Sequence, residues 1–105
     1  MANKLYVVTR ADLEPEHQAV QSAHALAQFF AEHPVRAQQW MKESNTLAML
    51  AAPTEADLRA LQERARQSYY RVAAFHEPDR NDELTAIALE PEAKKLVRTY
   101  PLAFK

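Results

Sequence analysis

Two short segments carry the residue types that could do chemistry. The first is a stripe of His17, Gln21, His24 and Gln28, spaced four, three and four residues apart. On a helix that spacing puts all four side chains along one face. His17 and His24 stand two turns apart, about 10.5 Å along the axis. That is too far to share one metal ion, and neither belongs to a His-x-x-x-His pair, so no metal site is expected. The functional reading of the stripe is acid–base work by imidazole, the side chain that changes charge near neutral pH. The structural reading makes His24, between Ala23 and Ala25, a hydrogen-bonded residue packed near a sheet.

The second segment is Phe75-His76-Glu77-Pro78-Asp79, at the expected end of a strand. Ligands of α/β sheets bind beyond the carboxyl ends of the strands. A carboxylate there, Glu77 or Asp79, is a candidate for activating water or holding a substrate, although Pro and Asp are also ordinary turn residues. Arg10 follows another expected strand and would line the same edge. His17, His24, Glu77 and Arg10 together define the expected cleft. No Gly-x-Ser-x-Gly elbow occurs, and Cys/His pairs are impossible without cysteine.

The elements that must position these groups can be read in turn. Leu5 to Thr9 is β-branched and aromatic and predicts a strand. Pro15 suits the first turn of a helix running to about Glu32, with Val20, Ala23, Ala27 and Phe30 as its apolar face. Pro34 opens a second helix to about Lys42, carrying Trp40. Leu47 to Ala52 is a continuous apolar run, expected as a strand covered on both faces. Thr54 is an N-cap with Asp57 three residues on, for a helix ending near Gln67. Arg71 to Phe75 and Leu84 to Leu89 read as strands three and four, joined by the turn-rich Pro78 to Asp82. Pro91 begins a short helix to about Arg98. Trp40, Tyr69 and Tyr70 could stack on bases, but their positions favour the core.

This order predicts an α/β domain, a three-layer α/β/α sandwich with a four-stranded mixed sheet. Strand–helix alternation implies a mostly parallel sheet, while the short loop before the fourth strand makes the last two strands antiparallel. The whole chain, 1–105, reads as one domain. Apolar residues form 48% of it and charged residues 26%, ordinary for a globular protein. No apolar run reaches the ~20 residues of a membrane span, and no signal peptide is evident, so a cytoplasmic location is expected. The 13 basic and 14 acidic residues nearly cancel. The basic clusters around Arg64 and Lys94 therefore read as solvated helix faces. There is no glycine, which removes phosphate loops and dinucleotide turns from consideration and leaves tight turns to Pro, Asn and Asp.

Gln21-Ser22-Ala23-His24-Ala25, on the helix after the first strand, resembles the Gln-x-x-His-Ala motif of type 2 peptidyl-tRNA hydrolases. Thr85-Ala86-Ile87-Ala88-Leu89-Glu90-Pro91 resembles that family's closing strand, Thr-x-x-Ala-x-Gly-Pro. The element order and a Trp on the second helix also agree, so the resemblance spans nearly the whole chain. It implies a three-layer fold, commonly a homodimer, that cleaves the ester joining a peptide to tRNA with no metal or organic cofactor. It also implies site residues. The motif glutamine is Gln21 and the motif histidine His24. The position of a catalytic lysine holds His17, and that of a catalytic aspartate holds Glu77, followed by Pro78-Asp79. Thr85 is the closing-strand threonine, and Glu90 replaces a glycine.

The departures bear on chemistry. Lysine is a lasting positive charge, whereas an ordinary histidine is mostly neutral at neutral pH and would serve as a base instead. Glutamate for aspartate moves the carboxylate by one methylene, and catalysis is sensitive at about the 1 Å level. Three readings follow. The first is a divergent hydrolase in which Glu77 or His17 activates water, His24 assists, and Arg10, Gln21, Asp79 and Thr85 bind. The second is a non-catalytic module of the same fold that binds tRNA, a nucleotide or a protein. The third is a domain acting through dimerisation alone. A strongly positive rim around His17 and Glu77 would favour tRNA; a neutral or acidic one would favour another partner.

Overall fold

The computed structural model describes residues 3–104. Four strands form one sheet: β1 (Lys4–Arg10), β2 (Thr46–Ala52), β3 (Val72–Glu77) and β4 (Glu83–Leu89), in the order β2-β1-β4-β3. Helices α1 (Pro15–Glu32) and α2 (Pro34–Glu43) come between the first two strands, and α3 (Glu55–Gln67) leads into β3. A short 3-10 turn at Pro78–Arg80 connects β3 to β4, and α4 (Lys94–Val97) follows a second such turn. The chain is the expected three-layer α/β arrangement with a mixed sheet.

β1, β2 and β3 all run one way and β4 the other. The crossovers thus do what crossovers must, yet only β1 and β2 are neighbours in a parallel pairing, because β4 inserts between β1 and β3. The expectation of a mostly parallel sheet holds for strand direction and fails for strand pairing. A second consequence matters more. The carboxyl ends of β1, β2 and β3 and the start of β4 all meet along one edge of the sheet.

Side chains alternate across the sheet into two cores. Leu5, Val7, Ala73 and Ala88 pack under Ala25 and Phe29 of α1 and Ala37 and Trp40 of α2. Tyr6, Val8, Ile87 and Leu89 pack under Leu58, Leu61 and Ala65 of α3. β1 and β4 are the strands sandwiched between layers. β2, expected to be covered on both faces, is an edge strand, and only Leu50 to Ala52 are buried. The tail completes that edge: Ala51 N–H donates to the Pro101 carbonyl and Ala103 N–H to the Met49 carbonyl. Gln18 holds the tail from α1, accepting from Phe104 N–H while its own amide donates to the Leu13 carbonyl.

Local signals explain the helix ends. Pro15 and Pro34 sit in first turns, where a missing N–H costs nothing. His33 ends α1 and precedes α2, and its Nε2 lies 2.9 Å from the Val72 carbonyl. Thr54 caps α3 by accepting from Asp57 N–H, and acidic residues open and basic residues close that helix, as the helix dipole favours. The face of α1 is the main correction. Val20 is 51% exposed, and Ala23 and Ala27 are exposed too. The buried stripe is Gln18, Gln21, Ser22, Ala25 and Phe29. Tyr69, expected in the core, is 93% exposed.

Without glycine, ordinary residues take the left-handed turns: Asn45, Tyr69, Asn81, Asp82 and Phe104 all have positive φ. Asn and Asp tolerate this conformation well, and Tyr does not. Tyr69 follows the end of α3, donating its N–H to the Arg66 carbonyl, where a glycine is usual. Tyr69→Gly is accordingly expected to raise stability by about 1 kcal/mol in urea unfolding. A neutral or destabilising result would show that the turn is not strained.

Candidate functional site

A groove of about 360 Å³ opens between the first turns of α1 and the segment after β3. His17, Gln21, Glu77 and Asp79 line it, so the two segments with chemical potential in the sequence do meet. Leu13 and Val20 supply apolar lining, and Arg80, in the same turn as Asp79, lines it too. The meeting follows from topology. β1 and β3 end on the same edge, so the start of α1 and the turn after β3 face each other.

The groove rests on a chain of hydrogen bonds. Thr85 Oγ1 donates to Gln21 Oε1 at 2.7 Å, and Gln21 Nε2 donates to Glu77 Oε1 at 2.9 Å. Thr9 Oγ1 donates to the Thr85 carbonyl from below. A β-bulge makes this possible. The register of β3 on β4 jumps from Phe75↔Ala86 to His76↔Leu84, leaving Thr85 as the extra residue. Leu84 and Ile87 belong to the core under α3, while Ala86 belongs to the one under α1. Thr85, next to Ala86, also reaches toward α1, so the strict alternation of a strand breaks at this pair. Bulges of this kind re-aim side chains beside functional sites.

Glu77 is held as a carboxylate. The Gln21 amide lowers its proton affinity most, helped by Asp79 N–H, with His24 and Arg80 adding attraction. His24 itself does not line the groove. It is exposed and its ring stacks flat on Phe75, 4.3 Å between centroids and 9° between planes. The expectation of a packed, hydrogen-bonded His24 gives way to an exposed, stacked one. Gln28, last of the stripe, donates to Glu32.

Arg10 does not line the groove. Its buried guanidinium donates to both Asp12 oxygens, to Glu83 Oε1 at 2.8 Å and to the Leu84 carbonyl. Four acceptor atoms on three residues engage it, and it braces the edge where β1 and β4 meet. Leu13, Val20 and Arg80 line the groove without having been expected there; Arg80 is the charged one. It lay inside a segment read only as a turn, and its three-residue distance from Glu77 was the available signal. Val20 was missed because its apolar character suggested the opposite face of α1. The walls of the groove carry two carboxylates, Glu77 and Asp79, against one guanidinium, so the rim is not strongly positive.

The family model described as peptidyl-tRNA hydrolase PTH2 matches residues 3–105. No curated protein matches the sequence. Among solved structures, a protein of unknown function from Agrobacterium tumefaciens strain C58 superposes with a TM-score of 0.67 and 14% identity, over 94% of this chain and 96% of that one. At such identity the likeness shows the fold alone.

Three carboxylates at this edge are held below the usual carboxylate range: Asp12 and Glu83, chiefly by hydrogen bonds from Arg10, and Glu77, chiefly by Gln21. Their folded values lie under the unfolded ones. The stability they bring is therefore complete above the ordinary carboxylate value of about 4 and is lost as pH falls through the folded values. Urea unfolding measured from pH 6 down to pH 2 is expected to show stability dropping mainly below about pH 4, with a shallower drop in Glu83→Gln. An identical slope in the variant would remove Arg10–Glu83 from the account.

Proposed function

Because the chain belongs to the peptidyl-tRNA hydrolase PTH2 family, we propose that it hydrolyses the ester between a peptide and the terminal ribose of tRNA in the groove beside Glu77. The observation that carries this reading is the fixed carboxylate: Glu77 Oε1 is pinned by Gln21, which is pinned in turn by Thr85. A carboxylate oriented this way can align a water and take its proton as the water oxygen adds to the ester carbonyl. The bond from the carbonyl carbon to the ribose oxygen then breaks. The proton passes to that oxygen, giving a peptide acid and a free ribose hydroxyl. His17, on the opposite wall, is the second candidate for the water's proton.

Within this reading Gln21 and Thr85 position Glu77, and Asp79 supports it through its backbone N–H. His24 contributes through its charge interaction with Glu77. Arg10 is a brace rather than a binding group. Leu13 and Val20 offer an apolar surface suited to a peptide side chain near the ester. tRNA is the proposed partner, the cytoplasm the proposed location, a homodimer the proposed assembly, and residues 1–105 the proposed single domain.

One observation favours a second reading. The groove pairs two carboxylates with one guanidinium, and nucleic-acid affinity is driven by phosphate contacts. A non-catalytic module of the same fold, binding a protein or a small molecule, fits such a rim.

Incubation with N-acetylaminoacyl-tRNA separates the two. Turnover is expected from the unaltered protein. Glu77→Gln should reduce kcat by about 100-fold or more, the scale of a lost general base, and Gln21→Leu should reduce it less. Absence of turnover between about pH 5 and 9, a span that covers the titration of both carboxylate and imidazole, would remove the hydrolase reading. Full activity in both Glu77→Gln and His17→Ala would keep the enzyme and remove this assignment of its base.

A further inference from the structure

We propose that Arg80 is the anion-recognising residue of the groove, its guanidinium receiving a phosphate of the nucleic-acid arm of the substrate. The proposal rests on the hydrolase reading for the identity of that arm. The geometry stands without it.

Arg80 is the one permanently charged cation among the described residues lining the groove. Its side chain is 40% exposed, and it makes one ion pair, Nε to Glu83 Oε1 at 3.3 Å. That oxygen already accepts the shorter 2.8 Å bond from Arg10. Glu83 is thus committed to the buried arginine, and its hold on Arg80 is the weaker of the two. Both terminal nitrogens of Arg80 are without a hydrogen-bond partner among the described residues. This leaves the forked end of the guanidinium, the edge that matches two oxygens of a phosphate, directed by an anchored Nε.

Charge balance makes the assignment specific. Glu77 and Asp79 both line the groove, and an approaching phosphate would be repelled by both unless Arg80 met it first. His17 occupies the wall where the family resemblance implies a lysine. The cation has in effect moved across the groove, from the helix to the turn. Among the described residues Arg80 makes its ion pair with Glu83 and none with Glu77, so it is assigned an anion already present on the substrate, not the transient oxyanion at the ester.

The test compares two esters of the same N-acetyl amino acid, one on a short RNA hairpin ending in CCA and one on adenosine, which has no phosphate. Arg80→Ala is expected to raise KM for the hairpin ester about tenfold, the scale of one lost charged hydrogen-bond pair. Its effect on the adenosine ester should be several-fold smaller. Arg80→Lys should recover part of the loss, and adding His17→Lys to Arg80→Ala should recover part by returning the cation to the other wall. Equal losses on both esters, or no recovery by either lysine, would overturn the proposal. Binding of the unesterified hairpin gives an independent arm. Arg80→Ala should weaken it and lessen its log–log salt slope by about 0.7, one single-strand phosphate contact. If the unaltered protein cleaves neither ester, the hydrolase reading falls while this arm still decides Arg80. Unchanged affinity and slope would then count against the proposal.

Discussion

A buried amide is the hinge on which the site turns. Gln21 is only 6% exposed, and both ends of its amide are used. The Thr85 hydroxyl donates to its oxygen, and that fixes which way the amide faces. The nitrogen must then point to Glu77. Thr85 has one proton to give, and its contact to Gln21 at 2.7 Å is shorter than that to the Phe75 carbonyl at 3.3 Å. One hydroxyl in the sheet therefore sets the orientation of a carboxylate at the surface. Leaving any of these buried groups unpaired would cost about 1–3 kcal/mol, so the arrangement is locked as a unit.

Much of the scaffold was legible in the sequence. The strands announce themselves by β-branched and aromatic runs, and the helices by Pro15, Pro34 and the Thr54 cap. That His17, Gln21, Glu77 and Asp79 share a groove follows from strand direction alone. What was illegible has a common cause. Three of the five buried residues of α1 are polar, and a search for apolar periodicity passes over Gln18, Gln21 and Ser22. These polar residues are buried because partners far along the chain satisfy most of them: Glu77 and Thr85 for Gln21, Phe104 for Gln18. The bulge at Thr85 and the insertion of β4 between β1 and β3 are likewise properties of pairing, which no single segment displays. Arg10 looked like a site residue because it ends a strand, but Asp12 and Glu83 claim it.

The two ends of the sheet handle charge differently. Opposite the groove, Arg36 is buried and meets Glu43, Glu90 and Glu92, and Glu90 also accepts from the backbone of Arg71. Glu90 stands where the family resemblance implies glycine, so a side chain now fills that corner and ties α2 to the ends of β3 and β4. The buried charges there, Arg36 and Glu90, are both paired within the protein. At the groove end, Arg10 is met by Asp12 and Glu83, while Arg80 is held only through its Nε by the same Glu83 oxygen, and its terminal nitrogens keep hydrogen-bonding capacity to spare.

The course of the tail has a practical side. Its strand-like run along β2 brings Phe104 to Gln18, the residue after His17 on the opening helix. Phe104 is thus clamped beside the helix that carries the groove residues His17 and Gln21. A purification handle attached there would pull at the clamp that seats the tail. A handle joined ahead of β1, which enters from the opposite edge of the sheet, would leave that clamp untouched.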